Sequence, residues 1–281
     1  MDRSDSMTAE AILQCRDVVA GYGAEPVVRG VSLQAPAGRL TALVGPNGCG
    51  KSTLLKTMAR VIAPRSGRVE IDGQSVHAMP TRAVARRIAL LPQGPVAPEG
   101  LTVRELVAQG RYPHQSLLRQ WSPADSAAVD AALARTDLGD LASRPVNSLS
   151  GGQRQRAWIA MVLAQDTDIL LLDEPTTFLD LKVQVDLLSL LSRIAHEEGR
   201  TVVVVLHEIN MAAAFADRIA MMAGGRILAE GPPEAVVTPD NLGRVFALAA
   251  DVLQAPRGRH PVCVPHRPMA DGIACIAAAA E

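Results

Sequence analysis

The sequence predicts an α/β fold that contains a parallel sheet and is interrupted by a helical insertion. Residues 40–44 form an apolar strand that runs into a glycine-rich loop and then into a helical pattern. Residues 168–172 form a strand whose last four residues are all apolar, which is typical of the buried centre of a parallel sheet. Between these segments, from Gly94 onwards, glycine, proline and alanine give way to helical patterns. We therefore expect a parallel-sheet core whose two halves flank a helical subdomain.

The composition fits a protein with a large core and no strong charge. The chain has 281 residues, 48% of them apolar, and a formal net charge of −1, which gives no electrostatic reason to expect a nucleic-acid partner. The four cysteines lack paired metal-ligand spacing, and we expect them to be free thiols in a reducing compartment. No apolar run approaches the ~20 residues that cross a bilayer, and no signal-peptide pattern opens the chain. Any membrane role is therefore expected to depend on a partner.

The N-terminal segment predicts two strands, at residues 12–19 and 27–34, which are joined by a turn at Gly21, Tyr22 and Gly23. Two interpretations of Tyr22 remain open at this point. It is either an ordinary turn or core aromatic residue, or a flat ring that stacks on a nucleotide base.

The loop after strand 40–44 has the spacing of a phosphate-binding loop in its required position between a strand and a helix. Consecutive backbone N–H groups would point inward, the lysine would reach the outer phosphates, and the serine hydroxyl would bind Mg²⁺. The cysteine inside the loop is interpreted as a small filler. The loop predicts a nucleotide without identifying the class of NTPase, and its residues are Gly45, Pro46, Asn47, Gly48, Cys49, Gly50, Lys51, Ser52 and Thr53.

Two further strands are predicted, at residues 68–72 and 88–91, and the second ends in Pro92 and Gln93. A glutamine at this place can coordinate Mg²⁺ or hold the attacking water through its amide oxygen. Considered alone, a glutamine at this place more often has a structural role.

The insertion predicts helices at residues 102–109 and 124–136, and the second begins at Ser122 and Pro123, a favourable cap and first turn. Residues 110–115 are predicted to form an exposed loop on composition alone.

A second phosphate site is predicted at Ser150, Gly151, Gly152 and Gln153. The glycine pair lets backbone N–H groups approach an anion, and the helix that continues through residues 157–163 directs its positive end at the same anion. We therefore interpret this segment as one half of an active site whose other half, the lysine loop, lies far away in the sequence. The alternative, a plain helix cap with a flexible entry, would explain Ser150 alone.

Strand 168–172 delivers Asp173 and Glu174 to the carboxyl edge of the sheet, where ligands of such sheets bind. Asp173 is expected to order Mg²⁺ and its waters, whereas Glu174 is expected to polarise the attacking water as general base. A helix is predicted from residue 178 to residue 191, with Asp180 as its N-cap.

Strand 201–206 ends at His207, which would donate a hydrogen bond to the terminal phosphate. A lone histidine at such a place is more often a satisfied core residue. The remainder predicts a helix at 211–215, a hairpin from strands 218–222 and 226–228, two short helices within 232–246 and a small strand at 262–264.

Taken together and in this order, the motifs resemble the ATP-binding subunit of an ABC transporter over residues 12–264. The Leu-Ser-Gly-Gly-Gln run that begins at Leu149 is close to diagnostic. The resemblance implies a P-loop NTPase (RecA-like) core, formed by residues 12–93 and 161–264, with an N-terminal antiparallel β subdomain. It also implies an inserted α-helical subdomain at residues 94–160 and a C-terminal tail at 265–281. Glu208 departs from the aspartate that is usual in the family.

The resemblance implies ATP and Mg²⁺ as cofactors and a homodimer that sandwiches two ATP molecules head to tail. It assigns catalysis to Glu174, His207 and Gln93, and metal binding to Ser52, Gln93 and Asp173. ATP contacts are implied for Tyr22, for residues 45–53, and for Ser150, Gly151, Gly152, Gln153 and Asp180.

The implied partners are an integral membrane permease and, indirectly, a periplasmic or lipoprotein substrate-binding protein, with no nucleic acid. The implied location is the cytoplasmic face of the bacterial inner membrane. Residues 110–115 and 157–161 resemble, more narrowly, the ATPases of bacterial ferric-siderophore importers, whose relatives carry haem and cobalamin.

A competing class with the same signature, the DNA-binding ATPases of chromosome maintenance, needs a long coiled coil between the lysine loop and the signature. The interval from Thr53 to Leu149 is too short for one. Translation-linked relatives usually carry two such domains, and this sequence holds one. Importers of other substrates and exporter subunits remain open.

Overall fold

The computed structural model describes residues 11–116, 120–258 and 260–267. Its strands are β1 (Ala11–Ala20), β2 (Val28–Pro36), β3 (Leu40–Val44), β4 (Ser66–Ile71), β5 (Gln74–Ser75), β6 (Ile88–Leu91), β7 (Ile169–Leu172), β8 (Thr201–Val205), β9 (Arg218–Ala223), β10 (Arg226–Gly231), β11 (Ala250–Gln254) and β12 (Pro261–Pro265). Its helices are α1 (Lys51–Met58), α2 (Thr81–Ala85), α3 (Val103–Gln109), α4 (Pro123–Arg135), α5 (Gly151–Ala164), α6 (Leu181–Glu198), α7 (Ile209–Phe215), α8 (Pro233–Val236) and α9 (Pro239–Phe246).

The central sheet has six strands in the order β10-β9-β3-β8-β7-β6. The five strands from β9 to β6 are parallel, and β10 closes the sheet as an antiparallel edge. Every residue of β3, β7 and β8 is buried, as expected for strands that are covered on both faces. Because parallel strands end at the same edge, the loops after β6, β7, β8 and β3 lie side by side, and these are the loops that carry the predicted site residues.

Two hydrophobic cores lie on opposite faces of this sheet, because successive side chains of a strand point to opposite sides. In β8, Val202 and Val204 pack into one core, whereas Val203 and Val205 pack into the other. The second core also takes in α1 and the antiparallel sheet β2-β1-β4-β5. Cys15 of β1 lies in this core, where burial raises the pKa of its thiol to about 12.

The helical insertion is built from α3, α4 and α5, and both α3 and α4 begin with a reciprocal capping box. The prediction of an exposed loop at residues 110–115 is wrong for Gly110 and Arg111, which are buried, and Tyr112–His114 form a short 3-10 helix. Arg111 is 6% exposed, and its Nε lies 2.9 Å from Asp125 Oδ1. Burial alone would raise the pKa of Asp125, but hydrogen bonds from Ser122 and Arg111 and the Arg111 charge outweigh it and lower that pKa. Tyr112, one residue on, is exposed as expected.

A joint of side-chain hydrogen bonds connects the insertion to α2 and β6. Arg82 and Arg86 both donate from Nε to Pro113 O, at 2.8 and 3.0 Å. At the end of α5, Gln165 Nε2 donates to Ala85 O at 2.6 Å and to Ile88 O at 3.0 Å. The insertion and the core are therefore connected in both directions: the core donates to a main-chain carbonyl of the insertion, and the end of α5 donates to main-chain carbonyls of the core.

The C-terminal region holds a hairpin, β11–β12, of which the sequence predicted only the second strand. The sequence also missed β5 and α2. The predicted N-cap of α6, Asp180, is confirmed, but the helix extends to Glu198 rather than ending at residue 191. Most of the predicted tail, including Cys275, lies outside the described residues. In the described part of the chain, no helix combines the length and apolar character that crossing a bilayer requires.

The fold class predicted from the sequence is confirmed: a P-loop NTPase core carries an antiparallel β subdomain and an inserted helical subdomain. The residue boundaries of these parts stay a prediction, and α5 runs across the predicted boundary between residues 160 and 161.

Candidate functional site

The lysine loop lies between β3 and α1 and has a fixed internal structure. Lys51 is 5% exposed, and its ammonium donates to Gly45 O at 2.8 Å and to Pro46 O at 3.0 Å. These two carbonyls compensate the burial of the charge, which would otherwise be costly. The Lys51 ammonium is thus held in place by main-chain carbonyls of its own loop.

All three glycines of the loop have a positive φ, which side chains resist, and Gly45 and Gly48 differ in their surroundings. Gly45 has φ +154, and a Cβ at this residue would lie 2.1 Å from Met222 O of β9. Gly48 has φ +75, yet a Cβ there would meet no atom within 4 Å. The first glycine is therefore required by the close approach of β9 and the second by backbone conformation alone.

Asp173, at the end of β7, faces the loop from two strands away, with β8 between β7 and β3. Its Oδ1 accepts a hydrogen bond of 2.8 Å from Ser52 Oγ, whereas its Oδ2 is buried without a hydrogen-bond partner. Burial is the main cause that raises the pKa of this carboxyl group. An unpartnered buried carboxylate oxygen beside a serine hydroxyl suits a hard divalent cation such as Mg²⁺. The donor set predicted for Mg²⁺, which adds the Gln93 amide oxygen, therefore fits these residues.

Glu174 joins two other predicted residues. Its Oε2 accepts a hydrogen bond of 2.5 Å from Gln93 Nε2, and its Oε1 lies 2.7 Å from His207 Nε2. Thr177 Oγ1 reaches the same carboxylate at 3.5 Å. Glu174 has φ +52, so the backbone turns left-handed directly after Asp173 and directs the two adjacent carboxylates to different neighbours.

The residues that follow β3, β6, β7 and β8 line one cleft of about 510 Å³. Val27 was not a predicted site residue and also lines the cleft, with no motif in the sequence to indicate it. The lining consists of Val27, Asn47, Gly48, Gly50, Lys51, Ser52, Thr53, Gln93, Glu174 and His207.

Cys49 and Tyr22 lie outside this lining. Cys49 is 6% exposed, and burial, partly offset by the nearby Lys51 charge, raises the pKa of its thiol. Tyr22 is exposed, and the Lys56 ammonium lies 5.9 Å from the centre of its ring. This separation is within the range of a cation–π contact.

The second predicted phosphate site is not part of the cleft. Ser150 caps α5 by accepting from Gln153 N at 3.3 Å, while Gln153 Oε1 accepts from Ser150 N at 3.1 Å. Gly151 beside them is exposed, and Gly152 is half-buried against Val183. Asp180 is exposed as well and caps α6 by accepting from Val183 N at 3.0 Å. One copy of the chain therefore presents two separate surfaces that are suited to phosphate.

Comparison with known proteins agrees with this arrangement. The model of the family described as "ABC transporter" matches residues 28–177. The chain is 51% identical over 246 residues to the "Probable siderophore transport system ATP-binding protein YusV" of Bacillus subtilis strain 168, covering 88% of this chain and 90% of that protein. It is 46% identical over 255 residues to the ferric enterobactin transport ATP-binding protein FepC of Escherichia coli strain K12, covering 91% and 94%.

Among solved structures, the fold is similar to that of an ABC transporter of metal-chelate type in an inward-facing conformation. The TM-score is 0.80 at 30% sequence identity, with 92% of this chain and 98% of that chain covered.

The two glycines give a prediction about the rigidity of the loop. Gly45→Ala should lower the free energy of unfolding by roughly 3 kcal/mol, because its Cβ has to displace the β9 backbone. Gly48→Ala serves as the matched control and should cost about 1 kcal/mol, the strain of a left-handed residue alone. Urea denaturation measures both. Equal losses in the two variants would contradict the role given to the Met222 carbonyl.

Proposed function

The chain belongs to the ABC transporter family, whose ATP-binding subunits are ATP hydrolases, and we propose that it energises the import of a ferric siderophore or a related metal chelate. The substrate class rests on the names of its relatives, one of which transports ferric enterobactin. The observation that carries the hydrolytic part is the cleft in which Lys51, Glu174 and His207 face one another. Haem and cobalamin are the alternative cargoes.

In this proposal, the outer phosphates of ATP take over the Lys51 ammonium from the Gly45 and Pro46 carbonyls. Mg²⁺, held by Ser52, Asp173 and Gln93, neutralises phosphate charge when it is bound. Glu174 accepts a proton from water as the water oxygen bonds the terminal phosphorus and the bond to the ADP oxygen breaks. Without ATP, Gln93 and His207 hold the two oxygens of Glu174. With ATP bound, Gln93 keeps that carboxylate oriented, and His207 Nε2 turns from Glu174 Oε1 to donate to the terminal phosphate beside it.

Two copies of the chain complete each site. Ser150 and its helix lie outside the cleft of their own chain. Asp180 also lies outside it, two residues after Phe178, whose side chain is fully exposed. A head-to-tail homodimer would bring Ser150, Gly151, Gly152 and Gln153 of one copy to the ATP held by the lysine loop of the other. Tyr22, which is exposed, would then stack on the base.

The membrane partner is proposed to be a permease, which would hold this subunit at the cytoplasmic face of the membrane. A groove of about 810 Å³ lies where the insertion meets α2, and it is lined by Thr81, Arg82, Ala85, Tyr112, Pro113, Gln115, Ser116 and Gln120. Most of the surface area that lines the groove is apolar, and Tyr112, one of the lining residues, is 79% exposed. A cytoplasmic helix of the permease fits this chemistry.

Glu174→Gln should lower the turnover of ATP by roughly 10²–10⁴, the usual loss when a general base is removed. The glutamine keeps the size of the side chain and one acceptor oxygen, so ATP binding should persist and the ATP-bound dimer should accumulate. Glu197→Gln, which neutralises an exposed carboxylate of α6, is the control and should hydrolyse ATP normally. Normal turnover in Glu174→Gln would show that another group is the base.

Ser150→Arg should leave ATP binding by the single subunit intact but prevent dimer formation, because a long cationic side chain would occupy the surface offered to the second phosphate site. Size-exclusion chromatography with ATP, in the Glu174→Gln background, measures this. Ser189→Arg, at an exposed position of α6, controls for the added charge. A dimer that still forms with Ser150→Arg would contradict the head-to-tail arrangement.

Transport tests the proposed function as a whole. The subunit should co-purify with a permease encoded beside it, and proteoliposomes of this complex should take up a labelled ferric siderophore only with ATP. Tyr112→Asp should reduce the co-purified permease while the isolated subunit still binds ATP. Uptake of haem or cobalamin instead would replace the cargo, and stimulation of hydrolysis by DNA rather than by permease would overturn the proposal.

A further inference from the structure

Helix α7 begins two residues after His207, so whatever fixes its first turn also fixes the loop that carries this histidine. The helix has seven residues, and its buried residues are Ala212 and Ala213. Its N-cap, Glu208, makes no capping hydrogen bond through its side chain. A helix this short is marginal by itself and depends on contacts from elsewhere in the fold, which include the packing of the partly buried Ile209, Met211 and Phe215 against the core.

Asn210, in that first turn, supplies such a contact to the C-terminal hairpin. Its Nδ2 donates to Cys263 O at 3.1 Å, and its Oδ1 accepts from Cys263 N at 2.7 Å. Within a strand, the N–H and C=O of one residue point to the same side. Cys263 therefore directs both groups towards α7 and away from β11, and the asparagine amide pairs them as a neighbouring strand would. Since Cys263 is 5% exposed, these groups would otherwise lack partners.

Other contacts hold α7 at different points. Beyond its C-terminal end, Asp217 N donates to Leu40 O of β3 at 2.9 Å. Near its start, Gln184 Nε2 reaches Glu208 Oε1 at 3.4 Å, a longer bond than either made by Asn210. The hairpin thus acts on the end of the helix that lies next to His207.

We propose that Asn210 is a positioning residue for ATP hydrolysis, which holds His207 against Glu174 by tying the first turn of α7 to β12. Asn210 is not among the residues that line the nucleotide cleft, so it acts through His207. The inference rests on the proposed function, because it assumes that His207 and Glu174 work together at the terminal phosphate. It also gives the C-terminal hairpin a part in hydrolysis.

Asn210→Ala tests this in the full chain. We expect kcat to fall roughly 10- to 100-fold, as for a misplaced catalytic group, while ATP affinity stays unchanged because the lysine loop is untouched. Asn241→Ala is the matched control, since Asn241 Nδ2 makes a similar bond of 2.9 Å to Val236 O. Its kcat should equal that of the wild type, and the thermal midpoints of both variants show whether stability alone could explain a difference.

A double-mutant cycle separates positioning from simple destabilisation. In a His207→Ala background, measured by single-turnover hydrolysis, Asn210→Ala should cause little further loss, because the group it positions is gone. If the alanine variant does not fold, Asn210→Asp is measured in its place. It keeps the size and one acceptor but turns an oxygen towards Cys263 O, so kcat should fall here as well.

Full additivity with His207→Ala, or wild-type kcat in Asn210→Asp, would overturn the inference and leave the proposed function standing. A wild-type protein that fails to hydrolyse ATP would instead overturn the proposed function, and the inference with it.

Discussion

The site depends on a constraint at the end of β7, where two adjacent carboxylates must serve different partners. Asp173 is drawn into the protein against Ser52, and Glu174 is turned towards Gln93 and His207. The left-handed backbone at Glu174 makes this divergence possible, at a cost of ~1–2 kcal/mol for a residue that is not glycine. The parallel sheet then sets the neighbours, because β6, β7, β8 and β3 end side by side. Each loop brings one kind of polar group to the same cleft.

The second surface suited to phosphate is formed by the end of a helix, not by loops at the ends of strands. It stands at the start of α5, whose body packs into the core of the insertion while Ser150 and Gly151 remain exposed. A helix end that is capped by its own serine and glutamine already has part of its backbone satisfied, and its remaining N–H groups are available to an outside anion. The distance in sequence between this segment and the lysine loop therefore reflects two surfaces of one chain rather than two walls of one pocket.

The sequence predicted the fold class and the cleft because both depend on short local patterns. When a predicted strand is followed by Gly45 and Lys51, or by Asp173, the pattern indicates that these residues lie at the carboxyl edge of the sheet. The contact between His207 and Glu174 was not predicted, because no sequence pattern indicates the left-handed backbone at Glu174. The burial of Arg111 was missed for another reason: its partner Asp125 lies 14 residues away, and an arginine is normally expected at the surface. Short elements such as α2 and β11 carry too few residues for a periodic signal.

The joint between the insertion and the core bears on how motion could pass through the molecule. Arg82 and Arg86 of the α2 region hold Pro113 by its carbonyl, and Gln165 holds the same region from the end of α5. The two walls of the groove, one from the insertion and one from α2, are thus connected by hydrogen bonds. These bonds tie the insertion to α2 and to the edge strand β6, so a force applied to a helix seated in the groove would reach the insertion and the central sheet at the same time.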